Sequence, residues 1–214
     1  MRTHRRWRQP QSGQFRRQAP EHRTTLGLEL SARMVALYPA ILGLAWSGLA
    51  PGLQWLHRDA VSARGCFRVR RGTGWLARIV ARICALPAAG EEVAVMLAIA
   101  RTDRGEAWTR TFADCSLRSA QWACGNMLVE AMSLVLCSFR LRVDAGALVF
   151  EQVGATLGTR RFALPLPRML SPSIEARATQ QDARVHVVVR IGAPFTGLLV
   201  AYEGFVTMPP GGSE

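Results

Sequence analysis

Lysine is missing altogether: all 27 basic residues are arginine, set against 15 acidic ones, for a formal charge of +12. That balance looks at first like a nucleic-acid footprint. An arginine-only basic set, however, is what GC-rich coding produces without selection for anion binding. Eight of the arginines lie in residues 1–33, opposed only by Glu21 and Glu29. Half of the net charge therefore belongs to the N-terminal tail, and nucleic acid is disfavoured as a partner of the remainder. Cysteine is also sparse. Cys66, Cys84, Cys115, Cys124 and Cys137 form no C-x-x-C pair, and no histidine stands at finger-like spacing. This argues against a zinc site and reads as free buried thiols in a reducing compartment, so the expected location is cytoplasmic. No G-x-S-x-G, H-E-x-x-H or P-loop occurs, so catalytic residues stay unassigned and no cofactor or metal is expected.

Long uncharged runs are limited to one. Met34–Leu56 carries no charge over 23 residues, enough to cross a bilayer. Pro39 and Pro51, with Gly43, Gly48 and Gly52, interrupt it, and it reads better as two short helices broken near Ser47–Pro51. A membrane span is accordingly disfavoured, and a soluble chain is expected.

With 214 residues, 49% of them hydrophobic, the chain can bury a substantial core. From residue 60 onward the apolar period becomes two. Val185, Val187, Val189 and Ile191 alternate with Arg184, His186 and Arg190. Val135, Cys137, Phe139, Leu141 and Val143 alternate with Ser138, Arg140 and Arg142. Turn residues at Asp103-Arg104-Gly105, Asp144-Ala145-Gly146 and Gln181-Asp182-Ala183 separate such runs as hairpins do. Residues 93–100 are apolar on both faces and call for a central strand or a covering helix. Residues 75–86, with Leu76, Ile79, Val80, Ile83 and Leu86 on one stripe, are the available helix. The expected fold class is α+β. A curved, mainly antiparallel meander of roughly eight or more strands packs on N-terminal helices. It forms one domain over residues 34–207, with disordered tails at 1–33 and 208–214.

Gly72-Thr73-Gly74-Trp75-Leu76-Ala77 matches G-x-G-x-x-A, with Glu91 downstream. A dinucleotide site needs a wholly apolar first strand before it and a parallel crossover after it. Residues 66–71 read Cys-Phe-Arg-Val-Arg-Arg and hairpins follow, so a glycine turn between strand and helix is the stronger reading. Trp108, Arg110 and Phe112 share one strand face. The guanidinium between two rings could present its fork to a carboxylate or phosphate, or it could pair with an acid such as Glu130 inside a packed ladder. His57 closes the second N-terminal helix, where capping or packing suits it better than general-base work. His186 lies on a polar strand face, and His4 and His22 lie in the tail. Trp7 and Phe15 among the tail arginines allow a peripheral contact with nucleic acid or anionic lipid.

Taken in order, these landmarks resemble the bacterial domain-of-unknown-function family numbered 4166. The matching stretches include Leu37-Tyr38, Leu56-His57, Arg71-Gly72, Leu86-Pro87, Trp108-x-Arg110-x-Phe112, Ser119-x-Gln121 and Leu128-Val129-Glu130. They continue through Leu164-Pro165-Leu166-Pro167, Pro194-x-x-Gly197 and Tyr202-x-Gly204. The resemblance covers roughly residues 34–207 and implies no established activity. It implies relatives that stand alone or are fused to NAD(P)-binding oxidoreductase domains. An oxidoreductase partner is thus one expectation by analogy. Two glycines usual in the family are Ser133 and, in the last hairpin turn, the Asp182-Ala183 pair. The candidate ligand contacts are Trp108, Arg110, Phe112, Glu130, His57 and, from its motif, Tyr202. The expected role is an accessory module with an apolar pocket for a small hydrophobic ligand. Its rivals are an enzyme using Arg110, Glu130 and His57, and a nucleic-acid or membrane-surface binder acting through the arginine tail.

Overall fold

Residues alternating in and out at period two form strands that must hide one face from water. In the computed structural model, which describes residues 36–58, 60–113, 115–159 and 162–207, they do so by closing on themselves. Three short helical elements come first: α1 (Leu37–Leu42), a 3-10 turn (Gly43–Gly48) and α2 (Pro51–Arg58). The strand β1 (Val61–Arg71) leads to α3 (Trp75–Ile83). There follow β2 (Gly90–Thr102), β3 (Gly105–Thr111), β4 (Ser116–Cys124), β5 (Met127–Met132) and β6 (Val135–Asp144). The chain continues through β7 (Ala147–Gly158), β8 (Ala163–Pro165), β9 (Ser173–Gln181), β10 (Arg184–Ala193) and β11 (Gly197–Thr207). The three hairpin turns read from the sequence all occur, between β2 and β3, β6 and β7, and β9 and β10.

Every pairing is antiparallel, in the order β6-β5-β4-β3-β2-β1-β11-β10-β9-β7, and β6 also pairs with β7. Ten strands therefore form a closed barrel, with β8 an extra strand on the far end of β7. The expectation of an open α+β sheet curving over helices is overturned. Alternation reports which face of a strand is apolar, but both an open sheet and a barrel satisfy it. Closure depends on β7 pairing with β9, Leu148 opposite Ala178, across a long connection. Bulges at Phe67/Val69, Ser138/Phe139 and Ile191/Gly192 bend the wall, which a small closed barrel requires.

The hairpin turns after β2, β4, β6 and β9 mark one end of the barrel, and α1 to α2 lie there. The Ala50 amide donates to the Gly146 carbonyl, and the Gly52 amide donates to Gln180 Oε1. An eight-stranded barrel is about filled by its own side chains, and ten strands leave a wider lumen. The helical segment takes up that space with Tyr38, Leu53, Leu56 and His57, all buried in the common core. It is a plug, not a layer beneath a sheet. Within residues 36–56 the helical run is broken at Gly43 and again between Gly48 and Pro51, near the expected break at Ser47–Pro51. Among the described residues no helix is long and apolar enough to cross a membrane.

Helix α3 lies at the opposite end, against β11. It buries Ala77 and Ala81; of the stripe expected to pack inward, Leu76 and Val80 are half-buried and Leu86 packs against the core, whereas Ile79 and Ile83 face outward. The outer face of β2 at Ala94, Met96, Ala98 and Ala100 is exposed and uncovered by a helix. Alanine wins because the helix approaches closely: a Cβ on Gly72 would sit 1.8 Å from the Leu198 carbonyl oxygen and 2.9 Å from Ala77 Cβ. The glycine motif thus serves helix-to-wall packing in an antiparallel barrel with no parallel crossover. Of the five cysteines, expected as buried thiols, only Cys137 is buried. Cys66, Cys84 and Cys124 are exposed, because they fall on outward strand positions or helix ends. The tails read at 1–33 and 208–214 lie outside the described residues.

Candidate functional site

Register alone assembles a polar row inside the barrel. Glu106 on β3 faces Gln121 on β4, Gln121 faces Glu130 on β5, and Glu130 faces Cys137 on β6. One step along, Trp108 faces Ser119. Because side chains two residues apart share a face, Arg110 follows Trp108 into the lumen. Its Nη2 lies 3.3 Å from Glu130 Oε1, and its Nη1 donates to Ser119 Oγ at 3.1 Å. Ser119 in turn donates to the same Glu130 oxygen at 2.5 Å. The guanidinium sits 4.9 Å from the Trp108 ring centroid, and Trp108 Nε1 donates to Glu106 Oε2 at 3.0 Å.

The plug adds the other wall. Tyr38, wholly buried, donates its hydroxyl to Gln121 Oε1 at 2.8 Å. Its ring stacks on His57 at 3.8 Å between centroids, and His57 lies 5.5 Å from Trp108. Tyr202 contacts Phe112 and Phe67 edge-on at 5.8 and 6.0 Å. Trp108, Arg110, Phe112, Glu130, His57 and Tyr202 thus share one interior. The arginine pairs with Glu130 and, among the described residues, stacks on the Trp108 ring and not between two rings. Of the capping or packing role expected for His57, packing is seen: it is 3% exposed and lies against the Tyr38 and Trp108 rings, and among the described residues its Nδ1 has no hydrogen-bond partner. His186 pairs with Glu203 at 3.2 Å instead of standing free in solvent.

The electrostatics follow from depth. Burial, and then the nearby Arg110 charge, lower the His57 pKa to about 3, so the imidazole is neutral at pH 7. Burial works to lower the Arg110 pKa, but Glu130, Tyr202 and Tyr38 outweigh it and hold it above its ordinary value. Burial raises Tyr38, with Glu106 and Glu130 adding to it. Burial likewise raises Tyr202 against the pull of Arg110. Glu106 is raised by burial despite its Trp108 hydrogen bond and Arg101. Cys137 is pushed up to about 12 by burial and Glu130, which leaves a protonated, inert thiol. The centre is one ion pair, Arg110–Glu130, with Glu106 nearby and a neutral imidazole, hydroxyls, an amide and aromatic rings around it. Among the described residues no three of His, Cys, Asp and Glu cluster as metal ligands would.

Sequence reasoning missed Tyr38, Glu106, Ser119 and Gln121 as members. Glu106 was within reach of the period-two rule, two residues before Trp108. Tyr38 and the Ser119-x-Gln121 pair stood among the family landmarks without an assigned role. A cleft of about 390 Å³ beside the β2–β3 turn reaches Glu106 and Gln121 of this cluster, and another of about 680 Å³ runs along α3, away from it.

The landmarks that converge here also decide the family. A family model described as a domain of unknown function, DUF4166, matches residues 49–205. The chain belongs to that family. The match runs from the start of α2 through nearly all of β11, so it takes in the barrel and His57. Searches of curated proteins and of solved structures returned no significant match. Within this DUF4166 domain, the interior cluster is where buried polar chemistry is concentrated.

Proposed function

We propose that this DUF4166 barrel binds a small, mostly apolar molecule whose polar group meets the Arg110–Glu130–His57 centre. The observation that carries the reading is His57 Nδ1, a buried polar atom without a partner. It lies beside an ion pair and a short polar row in a ten-strand lumen whose remaining lining is largely apolar. Buried polar atoms are nearly always satisfied, and an orphan in a native site calls for a missing partner. A neutral imidazole can donate to or accept from a ligand hydroxyl, carbonyl or carboxyl group. The plug supports the same reading. It fills the lumen with side chains from a short helical segment tethered by few hydrogen bonds, which can yield to a ligand.

Native mass spectrometry of the full chain, purified without detergent, tests this. The expected result is a small molecule released on unfolding, with occupancy lowered at least about tenfold in His57→Phe, the cost of one buried hydrogen bond. The reading fails if nothing co-purifies and no apolar ligand shifts the melting temperature in a His57-dependent way. The convergence of His57 with Arg110 and Glu130 favours a second reading, an enzyme of unknown reaction. Turnover that vanished in His57→Phe while binding survived would select it. An oxidoreductase partner, by analogy with fused relatives, is the proposed setting for either role.

A further inference from the structure

Helix α3 presents three large apolar side chains to solvent, Trp75, Ile79 and Ile83. At about 100° per residue, Trp75, Ile79 and Ile83 fall on one side and the buried Ala77 and Ala81 on the other. Trp75 is 69% exposed and Ile83 78%. Arg78 and Arg82 border the stripe. With Arg71 they line the 680 Å³ cleft beside it, whose lining holds no carboxylate. Among the described residues these three arginines have no ion-pair partner. The apolar exposure extends beyond the helix. Phe195 in the β10–β11 turn, and Phe162 and Met169 in the β7–β9 connection, are also largely exposed. By strand direction all of them lie at the barrel end opposite the plug.

Several large apolar side chains exposed at one end of a barrel are the composition of an interaction surface. An outward stripe of Trp and Ile flanked by arginine is the composition of an element that lies in the headgroup region of a bilayer. Tryptophan and phenylalanine favour that boundary, and unpaired guanidinium groups complement anionic headgroups. We infer that the α3 end of the barrel docks on an anionic lipid surface, with Trp75, Ile79 and Ile83 inserted and Arg71, Arg78 and Arg82 on phosphates. This rests on residues outside the interior cluster and stands or falls apart from the ligand reading.

Co-sedimentation of the full chain with phosphatidylcholine vesicles, with and without phosphatidylglycerol, tests it. The wild type is expected to bind the anionic vesicles. Both W75S/I79S/I83S and R78E/R82E are expected to bind them at least about tenfold more weakly at an unchanged melting temperature. The arginine tail is common to every variant, so any contribution from it cancels. Brominated lipid should quench wild-type tryptophan emission and quench Trp75→Phe measurably less, a readout that needs no drastic variant. Absence of binding to anionic vesicles, or equal binding and quenching across these proteins, overturns the inference. Loss of a bound protein partner in the stripe variant with vesicle binding intact also overturns it.

Discussion

A proton forced onto His57 should loosen the whole barrel, and the size of the effect follows from its surroundings. The imidazole is held neutral with a pKa of about 3 in the fold, against about 6.5 in an unfolded chain. Between those values the unfolded state binds more protons than the folded one. Stability is therefore complete above about pH 6.5 and is lost as pH falls toward 3. The loss amounts to about 2 kcal/mol between roughly pH 7.5 and 5, which for a domain of this size lowers Tm by about 4–8 °C. His57→Phe keeps a ring against Tyr38 and removes an atom that has no partner, so at neutral pH it should cost little. The assay is thermal melting followed by circular dichroism for both proteins across that pH range. Glu106, whose raised pKa favours the fold at lower pH, is common to both and cancels in the comparison. The wild type should fall faster with acid than the variant. Parallel curves would refute the claim that His57 is buried beyond hydration.

Three further outcomes are expected. Ser133 and Asp182 adopt left-handed backbone, φ 56° and 53°, which glycine takes up without a Cβ penalty, so Ser133→Gly and Asp182→Gly should each raise stability in urea by about 0.5–1 kcal/mol, the aspartate by less. Arg110→Met leaves Glu130 buried beside no cation and should cost about 3–5 kcal/mol in urea melts. Arg110→Met with Glu130→Leu should recover most of that loss. Maleimide labelling of the native protein, read by peptide mass spectrometry, should modify Cys66, Cys84 and Cys124 and spare Cys137 until the chain unfolds.

Strands and hairpin turns were legible because a strand exposes its periodicity locally. Val185 and Val189 face in because neighbours two apart share a side, and Asp144-Ala145-Gly146 turns because its backbone can. Helix α3 was legible as a helix but not in its orientation. Leu76, Ile79 and Ile83 gave it an apolar face, yet close packing of Gly72 on β11 admits only Ala77 and Ala81. The pairing of Arg110 with Glu130 stood among the readings of the sequence because an acid in an apolar run needs a cation. Tyr38 was not assigned, since nothing near it in sequence announces a hydroxyl reaching Gln121, 83 residues away.

By itself the sequence determined the family, the antiparallel strands, the turns between them and which face of each alternating strand had to leave water. Tertiary structure alone decided that the sheet closes, that the N-terminal helices enter its lumen, and that His57 keeps an unpartnered nitrogen beside a buried ion pair. The division has one physical cause. Burial patterns are written into each strand at short range, whereas closure and the make-up of the interior depend on register between segments far apart in the chain, which no local period encodes.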